Sequence, residues 1–290
     1  MANSSSPDRI RGLSELVPFY DVLLCDVWGV LHNGVASFAA ARAALGGFRA
    51  RGGRVVLITN APRESHFVVD QIASLGVEAD CYDAIVTSGD VTRALLAAHA
   101  PARLHHIGPE IHLSLYEGLD LTVSDAASAD VISCTGLRDD THETPDDYEA
   151  ELAGLAARGL ELVCANPDRV VERGHQMIYC AGALAERYAA LGGTTALAGK
   201  PHRPIYEAAL AKVADIRGEP PVREKVLAIG DGAPTDLAGA FRQDIDVLFI
   251  TGGIHSGHFG PAGDPDIEAV HRFLVAEGLG ARAFVPGLVW

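Results

Sequence analysis

The chain has 290 residues, enough for about two domains at roughly 150 residues each. Apolar residues make up 48% of it and the formal net charge is −15, from 38 acidic and 23 basic side chains. That composition excludes a disordered chain and argues against nucleic acid as a partner, because phosphate backbones are bound by clustered Lys and Arg. A local positive site for a small anion is compatible with it.

The first residues, MANSSSPDRIRG, are polar and carry no apolar signal-like stretch. No run reaches the ~18 apolar residues of a membrane span, so a soluble, cytoplasmic protein with no membrane partner is expected. Apolar, β-rich runs then recur along the chain: 21–26, 54–60, 84–89, 104–108, 129–134, 160–166, 226–231 and 246–252. Ala- and Leu-rich segments separate most of them. Phe38, Ala41, Leu45 and Phe48 form one helical stripe ending at Gly52-Gly53, and Ile205, Ala209 and Val213 form another behind Pro204. Near-continuous apolar strands alternating with helices predict an α/β fold, a doubly wound parallel sheet covered on both faces.

Strand ends carry the polar residues of interest: Asp26, then Thr59-Asn60, then Asp231. Ligands of open α/β sheets bind beyond the carboxyl ends of the strands, at the switch point of strand order. The middle of the chain lacks a second set of such ends, so 91–181 is read as a smaller inserted α/β domain and 1–90 with 182–290 as the core. The acidic run 138–147 reads as a solvated loop entering a helix near Tyr148. Cys25, Cys81, Cys134, Cys164 and Cys180 include no CxxC pair and are expected to be reduced, buried side chains. The histidines show no zinc pattern such as HExxH and are assigned no metal.

Four segments bear on chemistry. CDVWGVLHNG puts a carboxylate, Asp26, at a strand end; LITNAPR offers a hydroxyl and backbone N–H groups at a strand-to-helix turn. AGKPHRP places Lys200 before a Pro-initiated helix, and GDGAPTD sets Asp231 and Asp236 across a Gly-rich turn. In this order, with TN at 59–60, NPD at 166–168, GKP at 199–201 and GDxxxTD at 230–236, the chain resembles the haloacid dehalogenase (HAD) superfamily of phosphohydrolases. The insertion resembles the class IIA cap found in para-nitrophenyl, pyridoxal phosphate and phosphoglycolate phosphatases.

The resemblance implies a Rossmann-like core and Mg2+-dependent hydrolysis of a small phosphorylated metabolite, with Asp26 as nucleophile forming an aspartyl-phosphate. It implies a magnesium site made by Asp26, the backbone carbonyl of Trp28 and Asp231, with Asp236 beside it orienting Lys200 or a metal-bound water, or capping the helix after Thr235. Thr59 and the Asn60 N–H would bind the phosphoryl oxygens and Lys200 would neutralise charge. Asn166 and Asp168 would take part in substrate binding from the cap, and a homodimer through the cap is implied too.

The departure from the family pattern is Trp28, which stands where phosphatases of this superfamily usually carry a second Asp as acid and base. An indole cannot transfer a proton, so three readings stand: a phosphatase limited to leaving groups that need no acid, or with a substitute acid; a catalytically impaired binding or regulatory protein; and a dehalogenase or phosphonate hydrolase. His32, Asp90 and His255 are the candidate substitute acids. Arg138 and Arg169 are the candidates for meeting an anionic substrate.

Overall fold

A computed structural model describes residues 7–173, 176–261 and 263–290; the polar segment 1–6 lies outside them. The chain divides into two compact units, one formed by Met1–Thr59, His66–Val86 and Tyr206–Trp290, the other by Asn60–Ser65 and Thr87–Ile205. The sequence boundaries at 91 and 181 differ from these. Thr194–Leu197 pairs in parallel with Glu161–Cys164, so the chain stays in the second unit's sheet well beyond 181.

In the first unit the sheet runs, in spatial order, Asp8–Arg9, Ala283–Val285, Asp246–Ile250, Val226–Gly230, Val22–Asp26, Arg54–Thr59 and Ala84–Thr87. The described registers, from the first of these to Arg54–Thr59, are parallel. Chain order moves one way from Val22–Asp26 and the other way from Val226–Gly230. The switch point therefore falls between those two strands, and it is there that a doubly wound sheet opens a crevice. Both strands are buried at every position, which is why they read as unbroken apolar runs. Helix Ala39–Ala50 buries Ala41, Ala44, Leu45 and Phe48. Phe38 was expected on that stripe; it stands instead at the helix N-cap, partly exposed. Helix Arg203–Arg217 buries Ile205, Ala209 and Val213 on one face, as their spacing predicts.

In the second unit, five parallel strands lie in the order Thr194–Leu197, Glu161–Cys164, Val131–Cys134, Ala102–Ile107, Leu121–Ser124. Side chains alternate between two cores, as a pleated strand requires. Ile132, Cys134, Leu162 and Cys164 pack with Leu152, Leu155, Leu184 and Tyr188. Val131 and Val163 face the other way, onto Leu96, Leu104 and Tyr116. An antiparallel pair, Val170–Arg173 with Gln176–Tyr179, stands apart from that sheet. The acidic run leads through a short turn, Pro145–Tyr148, into helix Glu149–Ala157, with Thr144 and Asp147 closing a reciprocal cap at its start.

No disulfide links the five cysteines, all of which are buried. Burial pushes the Cys134 thiol up to about 12 and Cys81 to about 11, so both behave as small apolar side chains. Among the described residues no helix is long and apolar enough to cross a membrane.

One consequence of the second unit's packing is measurable. His112 Nδ1 lies 3.0 Å from Thr135 Oγ1, and burial, then the neighbouring His106 and Arg63, lower its pKa to about 4. A histidine whose folded pKa is depressed adds stability above its unfolded pKa and loses it as pH falls towards the folded value. Stability should therefore decline between about pH 6.5 and about pH 4, by less than the ~1.4 kcal/mol per pH unit that one proton allows. Urea midpoints measured across that range should slope less in His112→Asn than in the native chain. An unchanged slope would remove His112 as the cause.

Candidate active site

Asp26 is the last residue of Val22–Asp26, and Asp231 follows Val226–Gly230 directly. The register between these strands pairs Cys25 with Ile229, so both carboxylates emerge at one end of the sheet, at the switch point. Asp236 joins them from the helical turn Ala233–Leu237, which follows the second strand. Asp26, Asp231 and Asp236 are 6%, 6% and 3% exposed. One oxygen from each lies within 4.8 Å of the other two.

Two glycines let the backbone reach Asp231. A Cβ at Gly29 or at Gly253 would overlap Asp231 Oδ2, so neither position has room for a side chain. The Ile254 N–H donates to Asp231 Oδ2 at 2.8 Å. Asp236 Oδ2 accepts the Gly232 N–H at 3.1 Å, so its carboxylate turns back on its own loop. Capping after Thr235, the alternative expected for Asp236, is replaced by this bond to Gly232, because the residue lies inside the turn.

Three buried carboxylates this close repel one another strongly in a medium of low polarity. An oxygen-only, anionic donor set suits a hard divalent cation. The residues present therefore fit the metal that the motif order implies.

Thr59 ends Arg54–Thr59 and is buried; Asn60 follows it and belongs to the second unit. There the Asn60 side-chain amide is a hub. Its Oδ1 accepts the Lys200 N–H at 2.7 Å, while its Nδ2 donates to the Lys200 carbonyl and to Asp168 Oδ1, each at 3.0 Å. Asp168 is fixed in turn, its N–H donating to Asn166 Oδ1 at 3.0 Å. The structure thus brings Asn60, Asn166, Asp168 and Lys200 together, and Lys200 is 3% exposed. Sequence reasoning gave Asn60 only a backbone N–H role; its side chain holds the Lys200 backbone from 140 residues away.

The Trp28 indole is 48% exposed. Its ring stands edge-on to His32, centroids 5.2 Å apart, and lies against Gly34. Each of the three candidate substitute acids holds a hydrogen bond within the fold. His32 is buried, which lowers its pKa, and its Nδ1 accepts the Gly34 N–H at 3.0 Å. Asp90 closes the N-terminal cap of helix Ser88–Ala97 with Thr87 and accepts the Ser65 N–H at 3.0 Å. His255 Nε2 accepts the Ala233 N–H at 3.1 Å, and burial lowers its pKa as well.

Each of the two arginines expected to meet a substrate is paired with a carboxylate of the second unit. Arg138 makes a two-pronged pair with Glu151, at 2.9 and 2.6 Å. The hydrogen bond from His105, and then Arg138, hold Glu151 down to about 2. Arg169 pairs with Glu186 at 2.9 Å.

Comparisons with known proteins bear on this geometry. A family model described as haloacid dehalogenase-like hydrolase matches residues 23–122, and a second, HAD-hydrolase-like, matches residues 197–274. The ribonucleotide monophosphatase NagD of Escherichia coli K12 is 26% identical over 238 residues, 81% of this chain and 88% of that protein. A p-nitrophenyl phosphatase from Archaeoglobus fulgidus, 18% identical, superposes with a TM-score of 0.73 over 93% of this chain and 97% of that one, a likeness of fold. A hydrolase of the haloacid dehalogenase-like family from Brucella suis 1330 is 48% identical, covers 98% of this chain and 100% of its own, and superposes with a TM-score of 0.84. At that identity and coverage, this chain belongs to the haloacid dehalogenase-like hydrolase family.

Proposed function

We propose that the protein is a magnesium-dependent phosphatase of the class IIA subgroup that hydrolyses a small phosphorylated metabolite through an aspartyl-phosphate on Asp26. The observation that carries this reading is the buried triad of carboxylates at the switch point, each offering an oxygen within 4.8 Å of the others. The names of the NagD and p-nitrophenyl phosphatase relatives support the reaction class.

An Asp26 oxygen attacks phosphorus, the bond from phosphorus to the leaving oxygen breaks, and that oxygen departs with the electron pair. Water then attacks the aspartyl-phosphate, releasing inorganic phosphate and restoring the Asp26 carboxylate. Asp26, Asp231, Asp236 and the Trp28 carbonyl would hold the magnesium ion, which when bound supplies the positive charge that offsets repulsion between Asp26 and the phosphate oxygens. Thr59 and the Asn60 N–H are assigned to the phosphoryl oxygens and Lys200 to charge neutralisation, on the strength of the motif order. The inserted domain, read as 91–181, is assigned the part of a cap that shields the reaction from water and selects the organic group, and a homodimer through it is expected.

Because Trp28 brings no proton, the leaving groups best suited to this site are those stable as anions, such as phenolates, enolates or carboxylates. A dehalogenase fits the site less well, since its reaction needs no cation and so gives no reason to gather three buried carboxylates. Trp28 favours one further reading, a protein that binds a phosphorylated ligand without turning it over.

The test is hydrolysis of para-nitrophenyl phosphate with magnesium, followed by chelation. Activity should appear with magnesium and vanish on its removal. If a broad phosphomonoester panel instead gives magnesium-dependent rises in melting temperature and no turnover, the binding reading replaces the enzymatic one.

A further inference from the structure

We infer that His255 is a positioning residue for the Asp231 carboxylate, acting through a short backbone staple between two neighbouring strand ends of the first unit. The inference rests on the metal-dependent reading above. Its observations are independent of Trp28 and of the second unit.

The staple is the segment 252–255, which leaves strand Asp246–Ile250 beside the loop that carries Asp231. It is anchored at its start: the Thr251 and Gly252 N–H groups donate to the Val285 and Pro286 carbonyls at 3.0 and 2.8 Å. It is closed at its end by tight turns, the Ser256 N–H donating to the Gly253 carbonyl and the His258 N–H to the His255 carbonyl, each at 3.0 Å. Between these anchors lie two bonds to the neighbouring loop. The Ile254 N–H holds Asp231 Oδ2 at 2.8 Å, and His255 Nε2 accepts the Ala233 N–H at 3.1 Å. Gly253 permits the approach, since a Cβ there would overlap Asp231 Oδ2.

A backbone N–H carries no identity of its own, so the aim of the Ile254 bond depends on what holds the staple in register. His255 supplies that register from the side chain. To accept from Ala233 its ring must be neutral and protonated on Nδ1. The ring is braced by Phe273, 5.0 Å away between centroids. The histidine therefore ties the staple to the residue two places beyond Asp231. Groups that orient ligands in this way commonly change metal affinity by about 10–100-fold when lost.

Two variants separate positioning from plain packing. His255→Gln keeps an acceptor at the place of Nε2, because Oε1 is the same number of bonds from Cα. His255→Phe keeps the ring against Phe273 and removes the acceptor. Magnesium chloride alone is titrated calorimetrically into the metal-free full chain, with melting temperatures taken with and without magnesium. The expected result is a dissociation constant about 10-fold weaker in His255→Phe and near the native value in His255→Gln, with the magnesium-induced rise in melting temperature reduced only in the former. Equal affinity in all three proteins, a lower metal-free melting temperature in His255→Phe with unchanged affinity, or equal loss in both variants would each overturn the inference while leaving the phosphatase reading in place. A native chain that binds no magnesium would overturn both.

Discussion

Asp26→Asn should abolish magnesium-dependent turnover of para-nitrophenyl phosphate, with a fall of roughly 10⁴–10⁶-fold, the scale seen when a nucleophile is removed from a covalent mechanism. The substitution keeps the shape of the side chain and takes away the nucleophilic oxygen's charge. Asp26 is 6% exposed at the end of a fully buried strand, so a larger change would confound fold with chemistry. Removing one of three mutually repelling carboxylates should leave the metal-free protein at least as stable as before. Three measurements check this: initial rates, melting temperature without metal, and mass spectrometry of protein quenched during turnover, which should find phosphate on Asp26 in the native chain alone. Retention of a tenth or more of the rate in the folded variant would mean that another group attacks phosphorus.

What could be read in advance follows from the physics of each element. Val22–Asp26 and Val226–Gly230 are buried on both faces, so their runs are apolar throughout and end abruptly in an acid. Leu121–Ser124 and Thr194–Leu197 carry no such signal because they are the edge strands of the second unit's sheet, partly or largely exposed and short of apolar residues. Pairing rather than hydrophobic pattern makes them strands.

The site divides along the same line. Asp26, Asp231 and Asp236 stand at strand ends or in a Gly-rich turn, where local sequence announces them. The Asn60 amide reaches Lys200 across 140 positions, and the Ile254 bond to Asp231 comes from a backbone N–H that nearly any residue supplies. Neither leaves a local signature. In the same way, Arg138 and Arg169 looked available as isolated cations until tertiary structure paired them with Glu151 and Glu186.

Trp28→Asp should raise kcat/KM on alkyl phosphates by roughly 10²–10⁴-fold, the usual worth of a general acid, and should raise kcat/KM far less on aryl phosphates. An alkoxide is a poor leaving group without a proton, whereas a phenolate departs readily without one. The gain corresponds to about 3–5 kcal/mol of barrier at ~1.36 kcal/mol per decade. Against it stands the loss of the indole's contacts. These are an edge-on pairing with His32 and contact with Gly34 by a ring that is 48% exposed. Such a ring pair is worth about 0.5–1.5 kcal/mol, so chemistry should outweigh packing. The same carboxylate would activate water in the second step, so any burst of phenol from the native enzyme should shrink in the variant. The informative quantity is the ratio of kcat/KM for an alkyl to an aryl phosphate, because general damage to the site lowers both and leaves the ratio alone. If the ratio stays fixed in a folded variant, proton donation does not limit the native reaction. Trp28 then acts by shaping the entrance beside Asp26, which Trp28→Leu and Trp28→Phe would reveal as changes in KM.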